Sequence, residues 1–223
     1  GYARDARGIL LTDKLEAPVR PDGRWAPVPA VTYYLHAARY LLDPGTPSKL
    51  DAKPPNPPFP HGTRLELATT PAERDAAANL LTRAKIPGDA PLAILNPGGN
   101  NPAKRWPEVR FAGVADWLHA RGLTVLINGS PAEADLAARI AAAARAPTVQ
   151  LPALGITLGV LKAILDERTP IGPRCRIMVT NDTGPRHIAA AFGVPIASLF
   201  GPTDHRWTTI PVAPNREAIL LAD

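Results

Sequence analysis

Asp182, Thr183, Gly184 and His187 are the residues of this chain best placed to do chemistry. They fall within Val179-Thr180-Asn181-Asp182-Thr183-Gly184-Pro185-Arg186-His187-Ile188-Ala189-Ala190-Ala191-Phe192-Gly193. This stretch reads as a β-strand, a short loop and a helix. Pro185 suits a first helical turn, where its missing N–H costs nothing. Gly193 suits the left-handed residue that stops a helix. The N-terminal, positive end of the helix then sits at the carboxyl end of a strand, a geometry that binds phosphate. The four polar residues there point to a phosphorylated ligand, with a nucleotide as the leading reading. A capped helix with a satisfied Asp is the plainer alternative, and Asp and Thr are both favoured caps.

Three further loops follow apolar runs. In Asn96-Pro97-Gly98-Gly99-Asn100-Asn101-Pro102-Ala103-Lys104-Arg105-Trp106-Pro107, the paired glycines allow close backbone approach to a ligand. Asn100 and Asn101 offer amide donors, and Lys104 a mobile charge suited to a diphosphate. The spacing is not that of a Walker loop, and a turn carrying surface cations explains it equally well. In Asn128-Gly129-Ser130-Pro131-Ala132-Glu133, Glu133 could accept hydrogen bonds from ribose hydroxyls. The competing role is a carboxylate that offsets a helix dipole. Thr203 and Asp204, after Phe200, either border the same ligand or form a turn over Trp207. No zinc-type spacing and no Ser/His/Asp order is evident.

These loops need a frame. The sequence predicts helices over 72–84, 108–119, 132–144, 158–165 and 185–192, and strands over 92–95, 123–127, 148–150, 177–180 and 196–200. In 108–119, Phe111, Val114, Ala115 and Leu118 share one face, and Gly122 follows. Such alternation means βαβ units and a parallel, Rossmann-like sheet, an α/β fold whose ligands bind at the carboxyl ends of the strands. The assignment is a Rossmann-like donor-binding domain at 71–223, a proline-rich linker at 51–70, and a remnant of a preceding domain at 1–50. That remnant has a short strand expected at 9–11 and a helix over 31–42. A Pro/Gly-bearing insertion at 168–174 has no functional reading.

Composition sets outer limits. The chain has 223 residues, 45% of them hydrophobic, a net charge of +5 and one cysteine, Cys175, expected in a strand. One cysteine allows neither an intrachain disulfide nor a cysteine metal cluster, and a reducing compartment is the simple inference. No apolar run approaches the ~20 residues that span a bilayer, because Gly193 and Pro195 break 188–200. No signal peptide is visible, and the opening Gly-Tyr-Ala-Arg-Asp reads as the middle of a longer protein. The positive charge favours anionic partners. It is scattered rather than clustered, so no nucleic acid partner is expected.

Taken in order, Asn-Pro-Gly-Gly…Lys-Arg-Trp-Pro, Gly-Leu-Thr-Val-Leu-Ile-Asn-Gly-Ser-Pro-Ala-Glu, Thr-Asn-Asp-Thr-Gly-Pro-Arg-His-Ile-Ala-Ala-Ala and Leu-Phe-Gly-Pro-Thr-Asp resemble glycosyltransferase family nine, the bacterial ADP-heptose:lipopolysaccharide heptosyltransferases. The match is strong over about 91–210. The resemblance implies a two-domain, B-type glycosyltransferase whose C-terminal domain binds the nucleotide-sugar, without a cofactor or a required metal. Asn100, Asn101, Lys104, Asp182, Thr183, Gly184 and His187 would line the donor diphosphate, and Glu133 would face the nucleoside. Family members often carry Thr or Ser where the two Asn stand. The catalytic carboxylate base would come from the first domain, so none is expected in this chain. The implied partners are ADP-heptose and a lipopolysaccharide core glycolipid, at a cytoplasmic location that includes peripheral contact with the inner membrane. Two other readings stand beside it, a nucleotide-sugar epimerase of similar fold and a non-catalytic nucleotide-binding fragment.

Overall fold

The computed structural model describes all residues except 4, 5, 44, 52–58, 60, 61, 100, 167, 169–173, 222 and 223. The chain divides into two compact units, residues 1–63 with 204–209, and residues 64–203 with 210–223. Residues 52–58, 60 and 61 of the proline-rich stretch, and most of the 168–174 insertion, lie outside the described residues.

The first unit holds a 3₁₀ turn, Arg7–Leu10, and helix α1, Ala30–Leu42. Isolated bridges such as Tyr2 with Leu15 and Glu16 with Lys49 tie its loops together. Its core is Ala17, Ala26, Val28, Tyr33 and Leu50, with Tyr2, Trp25 and Trp207 against it. The strand expected at 9–11 does not form. Ile9 and Leu10 are exposed, and the pairing that a strand requires runs through Tyr2 and Leu15 instead.

The second unit begins with helix α2, Pro71–Arg83. A reciprocal cap sets its start: Thr70 Oγ1 accepts from the Glu73 amide and the Glu73 carboxylate accepts from the Thr70 amide, with Pro71 in the first turn. Then follow β1 (Leu92–Asn96), α3 (Glu108–His119), β2 (Thr124–Ile127), α4 (Ala134–Ala143), β3 (Thr148–Gln150), α5 (Leu158–Leu165), β4 (Cys175–Asn181), α6 (Gly184–Ala191), β5 (Ile196–Phe200) and β6 (Glu217–Leu221). A 3₁₀ turn at Pro131–Glu133 precedes α4, so the α-helix starts later than 132. Strand β4 extends beyond the expected 177–180 at both ends and contains Cys175. Strand β6 is an addition to the expected set.

All pairings are parallel, in the order β3-β2-β1-β4-β5-β6. Parallel sheets are covered on both faces, so their strands are apolar throughout. Strand β1 shows this clearly. Leu92 and Ile94 join the core with Leu80 and Leu81 of α2, Leu161 and Ile164 of α5 and Ala189 of α6. Ala93 and Leu95 face Phe111, Ala115 and Leu118 of α3 and Ile140 of α4. The α/β, Rossmann-like expectation therefore holds. Gly122 and Gly193 take positive φ, 80° and 71°, where the preceding helices end.

Candidate functional site

The strand order reverses between β1 and β4, and in doubly wound sheets ligands bind outside the strand ends at that point. A cavity of about 600 Å³ opens there. One wall is the Gly98-Gly99 loop with Asn101 and Lys104, and another is Asp182, Thr183, Gly184 and Pro185 at the start of α6. Ser130, Pro131 and Glu133 form a third side, and Ile156, Thr157, Leu158 and Leu161 an apolar fourth. Three helix starts thus converge on one space, as a parallel sheet requires of the helices that follow its strands.

Three strands reach this floor with an Asn: Asn96 ends β1, Asn128 follows β2 and Asn181 ends β4. All are buried and bonded to one another's loops. Asn128 Nδ2 donates to Asn96 Oδ1 at 2.7 Å, and Asn96 Nδ2 donates to the hydroxyls of Thr180 (3.0 Å) and Thr183 (2.9 Å). Asn181 Nδ2 donates to the carbonyls of Pro97 (2.7 Å) and Gly98 (3.3 Å), and its Oδ1 accepts from the Trp106 amide at 3.3 Å. Buried polar groups persist when they are paired, and these pairs fix the height and shape of the glycine loop above them.

The Gly99 peptide is gripped from two sides. Its N–H donates to Glu133 Oε1 at 3.0 Å, and its carbonyl accepts from Arg105 Nε at 2.8 Å. Glu133 Oε2 also accepts from the Ser130 amide and hydroxyl, at 2.7 and 2.9 Å. A Cβ on Gly98 would overlap the Glu133 carboxylate, so position 98 must be glycine for this arrangement. Glu133 thus performs the helix-start role, caps its own turn, and still lines the cavity.

At the start of α6, no side chain caps the helix at Thr183. The Thr183 hydroxyl instead accepts from Asn96 and donates to the Asn181 carbonyl. Asp182 lies between two cations. Lys104 Nζ is 3.4 Å from Oδ2, and Arg186 Nη1 is 3.4 Å from Oδ1. The Asp182 side chain is 6% exposed and that of Lys104 30%, so the lysine keeps access to the cavity. Arg186 is fully buried and also holds Glu217 of β6, with Nε 2.7 Å from Oε1.

Asn101, Lys104, Asp182, Thr183, Gly184 and Glu133 therefore line one cavity. Asn101 additionally accepts from the Ala103 amide. Asn100 lies outside the described residues. His187 is exposed and is not among the lining residues. Desolvation by its surroundings, and then the Arg186 charge, hold its imidazole below the ordinary histidine pKa. Asp204 is elsewhere, in the first unit, paired with Arg206 and Arg20. The Asn floor, the apolar wall and Arg186 were not foreseen. The signal for the floor was present, since each of three apolar runs ends in Asn. Among the described residues, no group of three His, Cys, Asp or Glu could hold a metal ion, and no helix is long and apolar enough to cross a membrane.

The profile of glycosyltransferase family 9 (heptosyltransferase) matches residues 55–223. The chain belongs to glycosyltransferase family 9. Lipopolysaccharide heptosyltransferase 3 of Escherichia coli is 35% identical over 114 residues, 50% of this chain and 32% of that protein. This family 9 chain spans about a third of the length of the curated relatives it matches. In fold it is similar to the E. coli ADP-heptose lipopolysaccharide heptosyltransferase II, with a TM-score of 0.67 at 22% identity, over 99% of this chain and 60% of that one. The E. coli heptosyltransferase WaaC, solved with ADP, is 26% identical with a TM-score of 0.50, over 66% of this chain and 42% of that one.

Proposed function

We propose that this chain is the donor-binding part of a heptosyltransferase that moves a heptose from ADP-heptose to a lipopolysaccharide core sugar. The observation that carries the reading is the cavity at the sheet's switch point, where Lys104 and the start of α6 converge in a family 9 chain. A diphosphate seated there meets the Lys104 ammonium and the positive end of the helix dipole. The apolar side formed by Ile156, Leu158 and Leu161 suits a nucleoside base, and Glu133 lies where a ribose would be. ADP in the related WaaC structure supports adenine as the base.

In the transfer, the acceptor oxygen bonds to the anomeric carbon as the bond from that carbon to the β-phosphate oxygen breaks. The acceptor proton passes to a carboxylate supplied by the rest of the protein, and ADP departs. Lys104 and the helix start stabilise the charge that develops on the departing diphosphate, so we assign no cofactor and no metal to the step. We assign 71–223 to the donor domain, 51–70 to a linker and 1–50 to the acceptor domain. We place the protein in the cytoplasm, in peripheral contact with the inner membrane where its glycolipid acceptor resides. The only carboxylates among the described lining residues, Glu133 and Asp182, are committed to a cap and to ion pairs, which argues against an epimerase.

Calorimetric titration with ADP, UDP and GDP, without divalent metal, tests the donor assignment. ADP is expected to bind most tightly. Preference for UDP or GDP, or failure of all three to bind, would overturn it.

A further inference from the structure

Arg186 is the most unexpected residue of the molecule. It is the largest fully buried side chain, one turn after Asp182 on a helix that starts at the cavity. Its guanidinium lies 5.1 Å from the centre of the Phe200 ring, and its Nε is 3.1 Å from Ser198 Oγ. Glu217, its counter-charge, has a side chain only 6% exposed, although its neighbours on β6 are exposed. Burying an ion pair is costly, and an apolar group of similar volume often serves stability as well or better. Packing alone therefore does not account for an arginine here.

The charges do. Asp182 carries one negative charge and stands between Lys104 and Arg186. Lys104 Nζ and Arg186 Nη1 share the Asp182 carboxylate, each 3.4 Å from its own oxygen, so neither cation closes a tight pair with it. Without Arg186, Lys104 would be the sole countercharge of a nearly buried carboxylate and would be drawn into a tighter pair. Glu217 completes the set, so that two cations face two carboxylates and each of the three buried charges, Asp182, Arg186 and Glu217, has a counter-charge.

We infer that Arg186, balanced by Glu217, is a positioning residue that holds the Asp182 carboxylate in place and thereby leaves Lys104 available to the donor diphosphate. This rests on the donor site proposed above. Arg186 is not among the residues that line the cavity and acts through Asp182.

The test uses the full chain as wild type and as Arg186→Met/Glu217→Gln, which removes a buried cation and a buried carboxylate together. Ligand-free crystal structures read the geometry, and calorimetry with ADP reads the consequence. In the double variant, Asp182 is expected to turn toward Lys104, bringing Oδ2 closer than 3.4 Å. ADP affinity is expected to fall about tenfold or more, the scale of one hydrogen bond to a charged group. On an Asp182→Asn background the same pair of changes should cost little further affinity, because coupled residues are non-additive. A merely structural role would show the full loss on both backgrounds. Arg186→Lys keeps the charge but not the fork that reaches both carboxylates. It should give a partial loss, and it carries the test if the double variant does not fold. An unmoved Asp182, unchanged ADP affinity, or equal losses on the two backgrounds would overturn the inference. If the wild type binds no ADP, the proposed donor site falls, and the position of Asp182 in the ligand-free structures still decides the positioning claim.

Discussion

The two units of this chain differ in how they hold their polar residues. In the second unit, a six-stranded sheet covered on both faces sets the cavity floor, and buried Asn, Asp and Arg side chains are bonded into it. The first unit has a small core around Val28, Tyr33 and Leu50. Its helix α1 leaves Val31, Tyr34, Leu35, Leu41 and Leu42 exposed, an apolar stripe at helical spacing. Its Asp204 is paired near the surface with Arg206 and Arg20. A layered parallel sheet can carry polar groups at its carboxyl edge because the layers below exclude water. The thin core of the first unit cannot do the same.

The largest effect is expected from Gly98→Ala, which sets a methyl group against the Glu133 carboxylate. Glu133 must then leave the Gly99 and Ser130 amides. Melting should show a loss of about 2 kcal/mol, in the range for charge-assisted bonds broken at a half-buried site, and ADP binding should fall with it. Unchanged melting would mean that the loop is not fixed as described, and the contrast between the units would weaken.

The fold was largely legible because β1 and β2 are buried on both faces and so read as short continuous apolar runs. The exceptions have physical causes. Strand β6 has four of its five residues exposed, so Glu217–Leu221 lacks the bounded apolar signature of the others. Residues 9–11 looked like a strand by composition, but pairing decides strands and composition does not. At the site, Lys104, Asp182, Gly184 and Glu133 were legible because each lies in the segment that leads from a strand into the next helix. Arg186 was not, because a charged residue in a first helical turn ordinarily faces water, and its partner Glu217 is 31 positions away. His187 shares the motif, yet it is not among the residues that line the cavity.

A smaller effect should distinguish the first unit in acid. The Arg206 guanidinium, as the main cause, holds the Asp204 carboxyl at about 2, below its ordinary 3.8. A depressed folded pKa gives stability that is complete above the unfolded value and is lost as pH falls from about 4 to about 2. Melting in that window should show Asp204→Asn to be less acid-sensitive than wild type. The difference should be about 1 kcal/mol or less, because the pair is partly solvated. Equal acid sensitivity would remove Asp204 as a source of first-unit stability.

The smallest effect concerns Cys175. Burial pushes its thiol up to about 12, so almost no thiolate exists at pH 8. A disulfide reagent should leave the native protein unlabelled and modify it at once in denaturant. Rapid labelling of the native state would mean that the start of β4, a strand paired on both sides by β1 and β5, opens readily although Cys175 is buried.

The central claim is that the second unit's cavity seats a nucleoside diphosphate on Lys104 and the start of α6. Calorimetry of wild type and Lys104→Ala with ADP, without metal, tests it most directly. The account predicts binding by the wild type that weakens about tenfold or more in the variant, as loss of a charge-assisted contact implies. Equal affinity in both proteins would contradict it.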